Sequence, residues 1–231
     1  MILELCTDSI AGAELARKYG AKRIELCSAL TVGGLSPSTA LIKECLKIGK
    51  VEVHVMLRHR EGGFVYGKNE WPIILNDLNM MISLGVHGVV FGALNENGDV
   101  DKALCQEIIS RTSAVGIEAT FHRAFDLASD PIKTVEELIE LGFDRLLTSG
   151  QKDMAIDGKN LIKDLSDQSD GRIQIMAGSG VNPSNAIELA ATGADALHFT
   201  SHTTQGSGSL GMGANFIPDP AKISSIRSLF S

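Results

Sequence analysis

The stretch 23-RIELCSALTVGGLSPS-38 carries the reading of the whole chain. Its first five residues alternate as a strand does: Ile24 and Leu26 point to one side, Arg23, Glu25 and Cys27 to the other. Gly33-Gly34 marks a turn, and Ser36-Pro37 opens a helix, where a missing N–H is harmless. The unit is therefore strand, turn, helix. The stretch 2-ILELC-6 repeats the design, with Glu4 and Cys6 on one face. Two such strands side by side bring two carboxylates and two thiols together, with the thiols at the C-terminal ends.

Working outward, the same alternation of strand and helix signals runs to the end of the chain. Strands are expected at 2–6, 23–27, 51–57, 88–91, 117–122, 145–148, 172–176 and 196–200. Helices are expected at 9–19, 37–48, 72–84, 101–115, 130–142, 158–167 and 182–193, with a last one from 219 to 229. Pro37, Pro72, Pro131, Pro183 and Pro220 fall where helices begin, and Gly20, Gly49, Gly85, Gly116, Gly142 and Gly193 fall where they end. Eight strands, each followed by a helix, predict an α/β fold of the (β/α)8 TIM-barrel type as one domain over residues 1–231. An open doubly wound sheet is the alternative, and the lack of a break into halves speaks against it. Residues 200–218, with Gly206, Gly208, Gly211 and Gly213, read as a mobile Gly/Ser-rich loop, and 219–231 as the C-terminal helix.

The chain has 231 residues, 44% hydrophobic and 21% charged, with a net charge of −7. No concentration of basic residues suggests nucleic acid. No apolar run reaches the roughly 20 residues a membrane helix needs. The N-terminus enters strand pattern directly, so the expected location is the cytoplasm. Cys6, Cys27, Cys45 and Cys105 form no CxxC pair, which in a reducing compartment reads as free thiols. Self-association into a homo-oligomer stays open at this point.

The strand faces opposite the aliphatic ones are unusually polar. They carry Glu4 and Cys6, Glu25 and Cys27, His54, Met56 and Arg58, Glu118, Thr120 and His122, Gln174 and Met176, and His198 and Thr200. Buried charge is costly unless paired. A barrel lumen lined this way is either a paired network or a wet functional site. Arg23 and Arg145, at strand starts, are expected to pair with interior glutamates. His54 reads as a satisfied interior histidine, Cys45 and Cys105 as packing, and His59, His87 and His202 as loop residues.

Barrel chemistry sits at the C-terminal ends of strands. There His122 is a candidate acid/base, with Glu25 as its partner and Asp126 in the same dense segment, 120-TFHRAFD-126. Arg58, Arg60 and Arg123 are candidates to clamp a small anionic ligand. Gly178, Ser179 and Gly180, between a strand and a helix start, suit a phosphate group. The same face offers a second chemistry. Cys6 and Cys27, with Met56 and Met176 nearby in pattern, are soft sulfur ligands of the kind that select Cu(I).

The segments ELC (4–6), RIELCSAL (23–30), GGLSPS (33–38), VVFGAL (89–94), TFHRAFD (120–126), LLTSG (146–150) and MAGSGV (176–181) resemble, in order, the CutC family of copper homeostasis proteins. The resemblance covers about residues 1–202. It implies a (β/α)8 barrel, cytoplasmic copper handling, and a Cu(I) site at the cysteines matching Cys6 and Cys27. It also carries the family's Arg, Glu and His pattern onto Glu25, Arg58, Arg60, His122, Arg123 and Asp126. This chain departs from it at Arg58-His59-Arg60, where the family usually shows Arg-Pro-Arg, and at Glu61-Gly62-Gly63-Phe64, where it shows Gly-Gly-Asp-Phe.

Overall fold

The computed structural model describes residues 1–204 and 216–230. The chain runs through β1 (Ile2–Thr7), α1 (Ile10–Lys18), β2 (Arg23–Leu26), α2 (Thr39–Ile48), β3 (Glu52–Met56), α3 (Trp71–Leu84), β4 (Gly88–Phe91) and α4 (Lys102–Ser113). It continues through β5 (Glu118–Phe121), α5 (Pro131–Leu141), β6 (Arg145–Thr148), α6 (Lys159–Ser169), β7 (Gln174–Gly178), α7 (Ala186–Ala190) and β8 (Ala196–Thr200). Strands β1 to β8 pair in sequence order, all parallel, and β8 closes on β1. This is the (β/α)8 barrel that the strand count predicts.

Local chemistry starts the helices as expected. Ser9, Ser38, Asp101, Asp130 and Asp219 each accept a hydrogen bond from an amide of the first helical turn. Each such cap contributes about 1 kcal/mol. Alternation along the strands then separates two interiors. Leu3, Leu5, Ile24, Leu26, Val53 and Val55 pack outward against the helices in one continuous aliphatic layer. Among the described residues, the barrel interior holds only small apolar clusters, Cys6, Cys27, Met56 and Val90 in one and Leu147, Met176 and Ala196 in another, set among buried polar residues.

Some boundaries differ from the sequence reading. Strand β7 begins at Gln174, not 172, because Arg172 is held outside the barrel by both Glu136 oxygens, each at 2.7 Å. Helix α7 begins at Ala186, not 182. Asn182 instead builds a turn, accepting from the Ser184 amide while its own amide donates to Asn185. The loop expected at 200–218 is partly strand: β9 (His202–Thr204) pairs antiparallel with β10 (Phe216–Pro218), so His202 lies in a strand. Gly206, Gly208, Gly211 and Gly213 lie outside the described residues. The last helix, α8, is Pro220–Ser228. Among the described residues no helix is long and apolar enough to cross a membrane.

Candidate functional site

The floor of the lumen is a neutralised ion network. Arg23 donates from Nε to Glu4 at 2.8 Å and from Nη2 to Gln174 at 3.0 Å. Arg145 donates to Gln174 at 2.8 Å, Thr120 at 2.9 Å and Glu118 at 2.8 Å. Both arginines thus meet glutamates near the barrel bottom, Arg23 the buried Glu4 and Arg145 the half-exposed Glu118. His54, above them, is fully buried. Burial pushes its imidazole down to about 3, with Arg145 and Arg23 adding to the effect against Glu4.

One layer up, register brings the two thiols together. Cys6 stands opposite Glu25 across β1 and β2, and Cys27 follows Glu25 by two residues on the same face. The Cys6 sulfur lies 3.1 Å from Glu25 Oε2, and the Cys27 sulfur 3.4 Å from the same atom. Gly34 makes room for this pair: at φ +87°, a Cβ there would stand 3.0 Å from the Cys27 sulfur. Closure of the barrel adds His198 from β8. Its Nδ1 is 2.9 Å from Glu4 and its Nε2 is 3.7 Å from Glu25 Oε2.

The electrostatics of this cluster are divided. The hydrogen bond from Cys27, with help from His198 and Glu25, outweighs burial and pulls Cys6 down to about 5. That same bond, then burial and Glu25, pushes Cys27 well above its ordinary value. Burial, then the Cys6 charge, pushes Glu25 well up. Burial opposes a charge on His198, but Glu25, Cys6 and Glu4 face it and raise it. Glu4 is held far below the carboxylate range: burial would raise it, and His198, Arg23 and His54 outweigh that. These effects favour charge on Cys6 and His198 and the protonated forms of Glu25 and Cys27. Sulfur and oxygen atoms of Cys6, Glu25 and Cys27 all lie within 4.8 Å of one another, a spacing that fits one soft metal ion.

Above the thiols opens a cavity of about 750 Å³, lined among others by Cys6, Glu25, His122, Arg123, Ser179 and Lys222. The other candidates behave differently from their sequence reading. His122 and Glu25 do not pair: the partners of Glu25 are Cys6, Cys27 and His198, because β2 and β5 stand well apart around the barrel. Nor is His122 a base poised near neutrality, since burial and then Arg58 push it down to about 3. Asp126 is saturated. It accepts from Thr148, from Ser149, from the Gln151 amide and from Arg123, so it fixes the loop after β6.

The three arginines do not form one clamp. Arg58 directs its Nη atoms to the carbonyls of Val32, Gly34 and Gly62, tying the loops after β2 and β3 together. Arg60 is committed to Glu70 and to carbonyls of its own loop, and it does not line the cavity. Arg123 bonds Asp126 and Ser149 and does line the cavity. Gly178 is not part of the cavity wall either; a Cβ there would meet Leu147 at 2.5 Å. Ser179 (φ +86°) and Gly180 (φ +70°) do face the cavity. Among the described residues, the amides of Ser179, Gly180 and Val181 have no hydrogen-bond acceptor. The sequence reading missed Lys222, on the cavity wall in the first turn of α8, and the Glu4–His198 pair. Lys222 carries no local signal. Glu4 and His198 were legible only as two polar residues on lumen faces.

Comparison with known proteins bears on this geometry. The model of the CutC family matches residues 1–203. A CutC family protein of Histophilus somni is 45% identical over 204 residues, covering 88% of this chain and 83% of its own. A mouse (Mus musculus) protein named copper homeostasis protein cutC homolog is 39% identical over 221 residues, 93% of this chain and 80% of its own. The crystal structure of a Streptococcus agalactiae protein described as copper homeostasis protein CutC superposes with a TM-score of 0.80. It is 32% identical and covers 86% of this chain and 97% of its own.

Proposed function

The chain belongs to the CutC family, and from that membership, together with two thiols sharing one glutamate oxygen, we propose that it binds Cu(I) through Cys6 and Cys27 in copper homeostasis. The observation that carries this reading is the meeting of both sulfurs at Glu25 Oε2. A pair of thiolates is the donor set that a soft monovalent ion prefers. Copper is here the cargo. Cys6 is the sulfur ready to bind, and Cys27 gives up its proton as the ion arrives. That proton leaves to solvent through the cavity, Glu25 stays protonated beside the sulfurs, and because a monovalent ion replaces one proton the charge balance with His198, Glu4 and Arg23 is unchanged. A reducing cytoplasm, which keeps both thiols free, is the compartment this chemistry calls for.

A competitive Cu(I) titration under anaerobic, reducing conditions tests it, with wild type set against the Cys6→Ser, Cys27→Ser double variant. Near-stoichiometric binding that disappears in the variant supports the reading. Weak binding, or binding the variant retains, removes it.

The size of the cavity favours a second reading. Its volume of about 750 Å³ is that of a small-molecule pocket rather than of a single ion's site. Arg123, Lys222 and the unpaired amides of Ser179, Gly180 and Val181 give it an anion-seeking wall. We infer an enzyme-like pocket for a small anionic or phosphorylated molecule, which makes anion binding by the double thiol variant the discriminating measurement.

A further inference from the structure

His122 has a proton whose position is fixed by geometry. Its Nδ1 lies 3.1 Å from the backbone amide of Ala124, where the ring caps the short 3-10 turn that runs from Arg123 to Leu127. A backbone amide only donates, so Nδ1 accepts, and the ring proton must sit on Nε2. The ring is closely held. Gly92 leaves it room on one side, since a Cβ there would stand 2.5 Å from Nδ1, and Phe64 packs against it with ring centroids 4.8 Å apart. His122 is 4% exposed and lines the cavity, and its buried Nε2 has no acceptor among the described residues.

Arg58 is in the same position. It too is 4% exposed and lines the cavity. Three of its donor bonds hold loop carbonyls, but its buried Nε has no acceptor among the described residues. Its guanidinium stacks 5.0 Å from the centre of the same Phe64 ring. Two buried donors flank one aromatic side chain, with no acceptor for either. Orphaned buried donors are rare and call for a partner. The complement of the His122 N–H, which belongs to a residue of the cavity wall, is an acceptor oxygen.

We propose that His122 serves the cavity as a fixed hydrogen-bond donor, its Nε2–H receiving one carbonyl or carboxylate oxygen of a small organic acid. The proposal rests on the second reading above and gives its substrate class. It also changes the role of His122: the ring takes no proton from the ligand, and it stabilises negative charge that develops on the ligand's oxygen. The nearby Arg58 charge and burial both keep the ring neutral, which preserves the donor. Phe64, on the loop after β3, packs on the His122 ring and lines the same cavity.

The test uses the full chain, labelled with ¹⁵N, in the Cys6→Ser, Cys27→Ser background, so that copper plays no part. Two-bond ¹H–¹⁵N correlation of the histidine rings is expected to give His122 the Nε2-protonated pattern, unchanged from pH 5 to 8. Acetate, pyruvate and oxalate, added one at a time, are small enough to enter. At least one is expected to shift the His122 Nε2 signal. His122→Asn, which keeps a side-chain oxygen to cap the Ala124 amide but loses the Nε2 donor, is expected to weaken that binding at least tenfold. An Nδ1-protonated ring, or titration between pH 5 and 8, overturns the proposal even if the variant does not fold. Shifts confined to the Ser179–Val181 amides, with His122 unmoved, overturn it and leave the anion pocket standing. If none of the three probes shifts any residue of the cavity, both fall.

Discussion

The Cys6 sulfur lies 3.1 Å from Oε2 of Glu25, one strand away, and this contact places the two residues in a single proton-sharing unit. The unit makes the four cysteines unequal. Cys6 is drawn down to about 5, whereas burial pushes Cys45 up to about 11 and Cys105 higher still. Iodoacetamide is expected to label Cys6 first, through the cavity, at a rate that levels off above about pH 6. Peptide mass spectrometry over pH 4–9 checks this, and equal labelling of all four thiols would contradict the division of charge.

The Arg23–Glu4 ion pair is almost wholly buried, at 2% and 1% exposed. Removing one partner leaves an uncompensated charge. Arg23→Met is therefore expected to cost about 3–5 kcal/mol of stability, and Glu4→Gln, which removes the charge and leaves an acceptor for only one of Arg23 and His198, a similar amount. Urea unfolding of the single and double variants measures it. The double variant is expected to be more stable than the sum of the two losses implies.

Arg58 holds carbonyls of two loops, and a lysine cannot reproduce three bonds in a fixed fork. Arg58→Lys is expected to leave the barrel folded and to loosen the segments around Val32 and Gly62. Limited proteolysis reads this directly: new cleavage within 29–36 and 59–66 is the expected result, and an unchanged digestion pattern the contrary one.

Acid stability follows from the buried histidines. His54 and His122 are both pushed from an ordinary 6.5 to about 3, so the unfolded chain takes up two protons that the folded one refuses. Their contribution is complete above pH 6.5 and is lost as the pH falls toward 3. Glu4, depressed from 4.5, adds a third proton to the unfolded side below pH 4.5. Glu25, raised, works in the opposite direction above 4.5 and ceases to matter below it. The steep loss is thus expected below pH 4.5, at a slope approaching ~4 kcal/mol per pH unit. Denaturation midpoints measured from pH 7 to 3.5 give that slope, and His122→Asn should flatten it by about a third.

The sequence on its own determined what depends on neighbours along the chain. Strand alternation put Glu4 with Cys6 and Glu25 with Cys27 on lumen faces, because successive side chains point to opposite sides. Prolines and glycines marked most helix ends, and eight repeats of one unit specified the barrel. Adjacent, consecutive strands made a meeting of Cys6 with Cys27 an expectation, which the β1–β2 register then decided. What only the tertiary structure decided was which residue meets which across the ring and where each hydrogen bond goes. Closure of β8 on β1 brought His198 to Glu4, 194 positions away, and the separation of β2 from β5 around the ring kept Glu25 from His122. Backbone carbonyls claimed most of Arg58, and the Ala124 amide claimed Nδ1 of His122, leaving Nε2 to carry the ring proton. The physical reason is that periodicity fixes the face a side chain occupies, while its protonation and partners depend on distances set by the closed barrel and its loops.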